Sequence, residues 1–176
     1  YFVAVSKGDF NRFKKEYPLA RQDKTVLNGL IERSLEIKKS YIEIDEFDRN
    51  KRQVFNYGHS FGHAMESLTN YEVPHGIAVS CGMDMANFVS VKLGYLQCEI
   101  RQEIRELLEQ IWDGYVISNL SIEKFANALS KDKKNVGKEL RLILCKGYGE
   151  LFKAGIPLDG QFIGLLEEYF DKELVH

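Results

Sequence analysis

The chain has 176 residues, with 24 Lys and Arg against 26 Asp and Glu, so its formal net charge is −2. This near balance argues against nucleic acid as a partner, because a nucleic-acid-binding face requires a strong excess of basic residues. Hydrophobic residues make up 44% and charged residues 28% of the chain, which indicates a folded globular domain, and no apolar run approaches the roughly 20 residues of a membrane span.

The first half of the chain carries three predicted helices. Apolar residues recur at helical spacing from about Lys24 to Ile44, and the polar stretch Asp45–Lys51 interrupts the pattern. A second helix is predicted from about Gln53 to Thr69, and a third from about His75 to Leu93. The third helix is apolar nearly all round, so we expect it at the centre of the fold.

Shorter helices follow in the second half. Gly94 is a natural stop for the third helix. Two further helices are predicted at about Cys98–Ile111 and Ile122–Leu129, and Ser121 is a good N-cap for the second of them.

The pattern then changes to a period of two. Leu140–Leu144 and Leu151–Gly155 alternate around Gly147-Tyr148-Gly149, which predicts a small β-hairpin. A last helix is predicted at about Gly160–Leu174. The expected fold class is therefore mainly α, a multi-helix domain with one β-hairpin.

The three cysteines favour a reducing compartment. Cys81, Cys98 and Cys145 lie far apart and form no Cys-x-x-Cys pair, and no secretory signal opens the sequence. This usage is typical of a cytoplasmic protein with reduced thiols. We expect the three to be small buried residues.

The strongest chemical signal is the stretch Asn-Tyr-Gly-His-Ser-Phe-Gly-His-Ala. On a helix, His59 and His63 project from one face, where two imidazoles can bind one metal ion or divide metal binding and proton transfer. His75 begins the next predicted helix and can point back at them, which favours a metal site. A zinc-protease site is excluded, because serine follows the first histidine where glutamate is required. Gly58 and Gly62 share a face and would let a helix or a ligand approach closely.

Two groups of charged residues accompany the histidines. Lys38, Asp48 and Arg52 bracket a polar loop whose cations suit a carboxylate or a phosphate, with a solvated loop as the alternative. Ser-Lys-Asp-Lys-Lys-Asn at residues 130–135 offers lysines that could cradle a phosphate, with a surface turn as the alternative.

Three motifs, in order, resemble those of the 3-dehydroquinate synthase family and its sugar-phosphate cyclase relatives. They are Asn-x-Gly-His-Ser-x-Gly-His-Ala, Pro-His-Gly-x-Ala-Val-x-x-Gly-Met and Lys-Asp-Lys-Lys-Asn-x-Gly-Lys. The resemblance covers roughly residues 38 to 145. It implies an NAD- and metal-dependent lyase that eliminates phosphate from a phosphorylated sugar acid and closes a carbocycle.

The resemblance also implies roles for the residues of the histidine motifs. His59 and His75 would be metal ligands, normally for zinc, although cobalt, iron and manganese also suit such ligands. His63 would help to bind the substrate phosphate and assist proton movement. Asn56 would contact the phosphate.

Further roles follow for the charged residues. Lys38 and Arg52 would meet the substrate carboxylate, and Asp48 stands where the family usually has a Glu of the site. Lys133 or Lys134 would reach the phosphate, and both remain candidates. The catalytic group implied by the resemblance comprises His63, Asp48 and Lys38.

Part of the family pattern does not occur in these residues. The family places a Glu-x-x-Lys segment, with the third metal ligand and a substrate contact, just before a stretch like Tyr1-Phe2-Val3, and an NAD-binding α/β half earlier still. We therefore expect residues 1–176 to be the C-terminal metal- and substrate-binding domain of a two-domain enzyme that is a homodimer at full length. NAD would be bound mainly by the N-terminal domain. The 176-residue chain alone is expected to bind metal weakly and to be inactive.

Departures from the pattern leave the substrate open. Lys38 and Arg52 favour a heptulosonate 7-phosphate, and hence the dehydroquinate reaction of the shikimate pathway and aromatic amino acid biosynthesis. Asp48, Lys51 and Ile77, the last where the family commonly has Glu, favour a cyclase acting on sedoheptulose 7-phosphate or glucose 6-phosphate.

Two other classes of protein share part of this pattern. A metal-dependent alcohol dehydrogenase also places histidines on adjacent helices, but Arg52 and the lysine-rich stretch argue against it, because a simple alcohol needs no phosphate cradle. A helical binding or regulatory module without a catalytic half is the third interpretation.

Overall fold

The computed structural model describes residues 1–112, 115, 120–132, 135 and 139–174. The chain divides into two compact units, of which unit 1 comprises residues 1–55 and 147–151 and unit 2 comprises residues 56–146 and 152–176. The described elements are helices and one two-stranded antiparallel sheet, so the predicted fold class is confirmed. Among the helices of the described residues, none is long and apolar enough to cross a membrane.

Unit 1 contains two helices that were not predicted from the sequence. They are α1 (Phe2–Val5) and α2 (Lys7–Ala20). Ser6 caps α2, since its side chain accepts a hydrogen bond from the backbone N–H of Asp9 at 3.0 Å. Apolar side chains recur at helical spacing along α2, at Phe10, Phe13, Tyr17 and Ala20, so the sequence did carry a signal for this helix.

The predicted helix α3 (Lys24–Ile44) has the expected bounds. Leu30 and Ile37 are buried in the core of unit 1, whereas Leu27, Ile31 and Leu35, which share the helical pattern, are exposed. The apolar spacing therefore predicted the helix correctly but did not distinguish its buried face.

Unit 2 contains five helices and most of the hairpin. The helices are α4 (His59–Leu68), α5 (His75–Lys92), α6 (Cys98–Trp112), α7 (Ile122–Ser130) and α8 (Gly160–Lys172). The strands are β1 (Glu139–Cys145) and β2 (Leu151–Pro157). Helix α5 has more buried residues than the other described helices of unit 2 and packs against α4, α6, α8 and β1, as its apolar sequence predicted. The predicted cap Ser121 accepts a hydrogen bond from the N–H of Lys124 at 3.3 Å.

The predicted single helix from Gln53 to Thr69 is wrong. Residues Lys51–Asn56 form a 3₁₀-helix, and the chain then passes through Gly58, whose φ is +77°, before α4 begins at His59. The left-handed conformation of Gly58 breaks the helical path, and hydrophobic spacing does not report it.

A buried ionic network joins α5, α6 and α8. The carboxylate of Asp84 accepts hydrogen bonds from Arg101 at 3.0 and 3.2 Å, from Arg105 at 2.7 Å and from the hydroxyl of Tyr169 at 2.9 Å. Glu173, just after α8, accepts from both arginines. Burial and the nearby Asp84 charge raise the pKa of Tyr169. The network satisfies a carboxylate that has no exposure to solvent.

The cysteines form no disulfide, as expected. Cys81 and Cys145 are buried, and burial raises the pKa of the Cys81 thiol to about 12. The expectation of burial is wrong for Cys98, which is exposed because it is the first residue of α6.

Candidate metal centre

The start of α4 presents two histidines on one face. Helix α4 begins at His59, and His63 follows one turn later, with ring centroids 5.5 Å apart and ring planes at 85°. His59 is half-buried and His63 is exposed. The prediction that these two side chains share a helix face is confirmed.

The start of α5 brings in the third histidine. Pro74 precedes the helix, and His75 is its first residue. The His75 ring lies 5.4 Å from that of His59 and 5.8 Å from that of His63, measured between centroids. The side chain of His75 is 57% exposed, so the three imidazoles form a cluster that solvent can reach.

Glycines set the close crossing of α4 and α5. A Cβ atom on Gly58 would lie 2.6 Å from the carbonyl oxygen of Val79, and one on Gly62 would lie 3.0 Å from the Val79 Cα. A Cβ on Gly82 would lie 2.8 Å from the backbone N of Gly62. The predicted close approach is confirmed, and the approaching element is α5. The crossing holds the histidines of α4 beside His75, the first residue of α5.

A buried carboxylate, which was not predicted from the sequence, completes the cluster. Glu66 is only 7% exposed, and its Oε1 lies 3.1 Å from Nδ1 of His75. The potential ligand atoms of His63, Glu66 and His75 all lie within 4.8 Å of one another. The signal was present in the sequence, because Glu66 is three residues after His63 and side chains at this spacing are neighbours on a helix.

The ring of His59 is oriented by a contact with the backbone. Its Nδ1 lies 3.2 Å from the backbone oxygen of Tyr57. A protonated Nδ1 can donate to this carbonyl, which leaves Nε2 as the nitrogen with the lone pair. Imidazole nitrogens and a carboxylate are suitable ligands for zinc and for other first-row divalent metals. The residues of this cluster therefore fit a divalent metal ion.

The lysine-rich stretch is attached to the same helix. The hydroxyl of Ser60, between the two histidines of α4, donates to Oδ2 of Asp132 at 2.9 Å. This contact brings the residue just before the candidate lysines to α4. Lys133 and Lys134 themselves lie outside the described residues. Sequence reasoning gave Ser60 no role, although serine is a natural partner for an aspartate.

The predicted helix from Gln53 to Thr69 would place Asn56 one helical turn before His59. In the structure Asn56 ends the 3₁₀-helix, and Gly58 separates it from α4. The next residue, Tyr57, is buried and donates a hydrogen bond from its hydroxyl to Oδ1 of Asn87. Burial raises the pKa of Tyr57.

The loop of unit 1 that carries the candidate carboxylate-binding residues is held by Asp45. This side chain accepts hydrogen bonds from the backbone N–H groups of Arg49, Asn50 and Arg52 at 2.8 to 3.0 Å. The bonds from Arg52 and Arg49 lower the pKa of Asp45. The loop therefore has a defined backbone despite its polar sequence.

Two of the three predicted side chains of this loop meet. Nε of Arg52 lies 3.6 Å from Oδ1 of Asp48, whose φ is +55°, and Nη1 of Arg52 donates to the backbone oxygen of Glu46 at 2.7 Å. Lys38 is exposed on α3, and within the described part of unit 1 no ion pair joins it to Asp48.

The fold and the cluster together define a class of protein, a helical domain with a candidate divalent-metal centre at the crossing of two helices. The family model of the 3-dehydroquinate synthase C-terminal domain matches residues 3–135. The chain belongs to this family. Its membership agrees with the resemblance inferred from the histidine and lysine motifs.

Curated relatives carry the same family name. A 3-dehydroquinate synthase of Helicobacter pylori (strain P12) is 39% identical over 127 residues, which are 72% of this chain and 37% of the relative. A 3-dehydroquinate synthase of Campylobacter jejuni subsp. jejuni serotype O:23/36 (strain 81-176) is 32% identical over 159 residues, 89% of this chain and 45% of the relative. The chain thus spans less than half the length of these two relatives.

Solved structures share the fold. A 2-deoxy-scyllo-inosose synthase, complexed with carbaglucose-6-phosphate, NAD⁺ and Co²⁺, has a TM-score of 0.71 at 21% identity over 84% of this chain and 42% of its own. A 2-epi-5-epi-valiolone synthase from Streptomyces hygroscopicus subsp. jinggangensis 5008, with NAD⁺ and Zn²⁺ bound, has a TM-score of 0.70 at 18% identity over 94% of this chain and 48% of its own.

Proposed function

We propose that residues 1–176 are the C-terminal metal- and substrate-binding domain of a 3-dehydroquinate synthase-like lyase. The reaction is elimination of phosphate from a heptulosonate 7-phosphate, followed by closure of a carbocycle. The observation that carries the proposal is the cluster of His59, His63 and His75 on two crossing helices, in a chain of this family. The NAD⁺ and the Co²⁺ or Zn²⁺ of the two solved neighbours support both cofactors.

His59 and His75 are the proposed metal ligands. Their rings lie 5.4 Å apart, and each Nδ1 lies at hydrogen-bond distance from an oxygen, which favours Nε2 as the metal-binding nitrogen of both rings. A zinc or other divalent ion held there would act as a Lewis acid towards the substrate oxygens. NAD would supply reversible oxidation of a ring hydroxyl, and we propose that it is bound mainly by an N-terminal domain.

The remaining residues hold the substrate and move its protons. Elimination breaks the bond between carbon and the phosphate oxygen, and the neighbouring carbon loses a proton. His63, exposed beside His59, is the proposed group for proton movement. Asn56 and one of Lys133 and Lys134 are proposed to bind the leaving phosphate.

The substrate carboxylate is assigned to a separate set of cations. Lys38 and Arg52 are the proposed contacts, since the guanidinium fork pairs well with a carboxylate. Asp48 is a proposed catalytic residue, and its distance of 3.6 Å from Arg52 supports a shared role for the two side chains.

The test is phosphate release by the full-length protein that carries this chain. We expect inorganic phosphate from 3-deoxy-D-arabino-heptulosonate 7-phosphate in the presence of NAD⁺ and Zn²⁺. The control is the same protein after removal of the metal by a chelator and its return. No release from folded, metal-loaded protein would overturn the assignment of this substrate.

A second candidate function is a cyclase for a sugar phosphate without a carboxylate. It is favoured by Asp48 and Ile77, which differ from the family pattern, and by the fold shared with two synthases of other names. Sedoheptulose 7-phosphate and glucose 6-phosphate are the substrates to compare in the same assay. Faster phosphate release from either one than from the heptulosonate would select this alternative.

A further inference from the structure

We propose that Glu66 is a positioning residue of the metal centre. Its carboxylate accepts the Nδ1–H of His75, which fixes the tautomer and the direction of the ring so that Nε2 keeps the lone pair for an ion. The inference rests on the proposed function for the role of His75 as a ligand. The hydrogen bond itself can be tested without any metal.

The buried carboxylate of Glu66 requires a hydrogen-bond donor. Its side chain is 10% exposed, and a buried carboxylate is costly unless it accepts hydrogen bonds. Within the described residues, Nδ1 of His75 is the side-chain atom that meets it, at 3.1 Å. The two residues come from different helices, so the contact also links the third turn of α4 to the start of α5.

The chemistry of the contact decides the tautomer. An ionised carboxylate has only acceptor sites, and a neutral imidazole has one N–H and one lone-pair nitrogen. A hydrogen bond between Oε1 and Nδ1 therefore places the hydrogen on Nδ1 and the lone pair on Nε2. Histidines that bind metals commonly donate their other N–H to a carboxylate in this way.

Direct coordination by Glu66 is the competing role, because its oxygen lies within the same 4.8 Å group as His63 and His75. Two observations favour positioning. Oε1 is at hydrogen-bond distance from the His75 ring, and the carboxylate is buried while the ring is 57% exposed. A catalytic metal ion keeps one coordination position open for substrate, so it must lie where substrate can reach it. The exposed His75 ring can bind an ion at such a position, whereas the buried carboxylate of Glu66 is less accessible.

The experiment is a long-range ¹H–¹⁵N correlation spectrum of the metal-free chain with ¹⁵N-labelled histidine, recorded at a pH well above the usual imidazole pKa of about 6.5. We expect His75 as the Nδ1–H tautomer in the wild type. In Glu66→Met, which fills the buried space without an acceptor, His75 should shift towards the Nε2–H form that imidazole prefers in water. Glu66→Gln keeps a carbonyl acceptor and should retain much of the Nδ1–H form.

The control is Glu72→Met, a change at an exposed glutamate between the same two helices. It should leave all histidine tautomers unchanged, and circular dichroism confirms that each variant is folded. Wild-type His75 in the Nε2–H form, or the same tautomer in wild type and Glu66→Met, would overturn the proposal.

A metal titration distinguishes positioning by Glu66 from direct coordination by Glu66. It also distinguishes failure of this proposal from failure of the proposed function. In the full-length protein, Glu66→Met should weaken Co²⁺ binding by about 10–100-fold and leave the visible spectrum of the bound ion unchanged. A changed spectrum would instead identify Glu66 as a ligand. If the wild type binds no metal while the tautomer shift is observed, the proposed function fails and the hydrogen-bond inference stands.

Discussion

The guanidinium of Arg52 makes two contacts within its own loop. Its Nη1 donates to the backbone oxygen of Glu46, and its Nε lies 3.6 Å from Asp48, so the guanidinium is already oriented before any substrate binds. Such preorganisation suits recognition of a carboxylate, because less side-chain freedom is lost on binding.

Arg52→Met in the full-length protein should therefore impair a carboxylate substrate selectively. We expect kcat/KM for the heptulosonate phosphate to fall by about 10- to 150-fold, the range for loss of a charge-assisted hydrogen bond of about 1.5–3 kcal/mol. Turnover of a carboxylate-free sugar phosphate should change little. Lys51→Met, at the exposed neighbouring cation, is the matched control. An equal loss for both substrates would assign Arg52 to the loop structure alone.

Helices α4 and α5 can cross closely because the residues at their contact points are glycines, which have no Cβ. Alanine at Gly82 would place its Cβ against the carbonyl oxygen of Gly58 and 2.8 Å from the backbone N of Gly62. Both contacts are with backbone atoms of α4 or its cap, which cannot move without displacing the histidines.

Gly82→Ala should lower the free energy of unfolding by about 1–3 kcal/mol, the usual cost of overpacking. Urea denaturation followed by circular dichroism measures the change. Gly164→Ala in α8 is the control, since outside its own helix backbone no atom of the described residues lies within 4 Å of its Cβ position, and it should be neutral or stabilising by up to about 1 kcal/mol. Equal effects of the two substitutions would contradict the close crossing.

Glu173 links stability to pH through the ionic network. Burial raises its pKa, but the hydrogen bonds and charges of Arg101 and Arg105 outweigh burial, and the pKa lies below the usual 4.5. A lowered folded-state pKa gives stability that is present above the unfolded value and is lost as pH falls through the folded value. The stabilisation should thus be complete above about pH 5 and decline below pH 4.5.

Glu173→Gln tests this linkage. The variant should be less stable than the wild type at neutral pH, and the difference should shrink as the pH is lowered through the acid range. Thermal unfolding at a series of pH values measures the difference, and Glu167→Gln, at an exposed position of α8, is the control. A difference that does not depend on pH would show that the carboxylate charge contributes nothing.

Most helices and strands were predicted correctly, because apolar spacing and capping depend on residues that are close in the sequence. The bounds of α3 and the start of α5 followed from apolar spacing, and Ser121 followed from capping chemistry. The break at Gly58 was not predicted, because its left-handed conformation is coupled to the approach of α5, a contact between distant segments. Helix α2 was missed although Phe10, Phe13 and Tyr17 recur at helical spacing, and Pro18 near its end is a residue that ordinarily argues against a helix.

The site was predictable to a similar degree. The residue types and order of the histidine motifs identified the family and placed the three imidazoles together. Glu66 was missed because a glutamate on a helix is ordinarily exposed, and only the fold shows that this one is buried against His75. The link from Ser60 to Asp132 joins residues 72 positions apart, a pairing that one sequence cannot reveal.

At the scale of the whole molecule, the chain spans 37% and 45% of two curated 3-dehydroquinate synthases. The 176-residue chain should therefore bind Zn²⁺ more weakly than the full-length protein and release no phosphate from the heptulosonate. Isothermal titration of both proteins measures the difference. Equal affinity would show that these residues alone supply the complete ligand set.

The central claim is that His59 and His75 bind a divalent metal ion. The most direct measurement is titration of Co²⁺ into the full-length protein, followed by its visible absorption, for the wild type and for the His59→Ala, His75→Ala and His176→Ala variants. We predict one ion per chain in the wild type and in His176→Ala, and loss of the bound-ion spectrum in the other two variants. An unchanged spectrum in His59→Ala and His75→Ala, or no bound ion in folded wild-type protein, would contradict the claim.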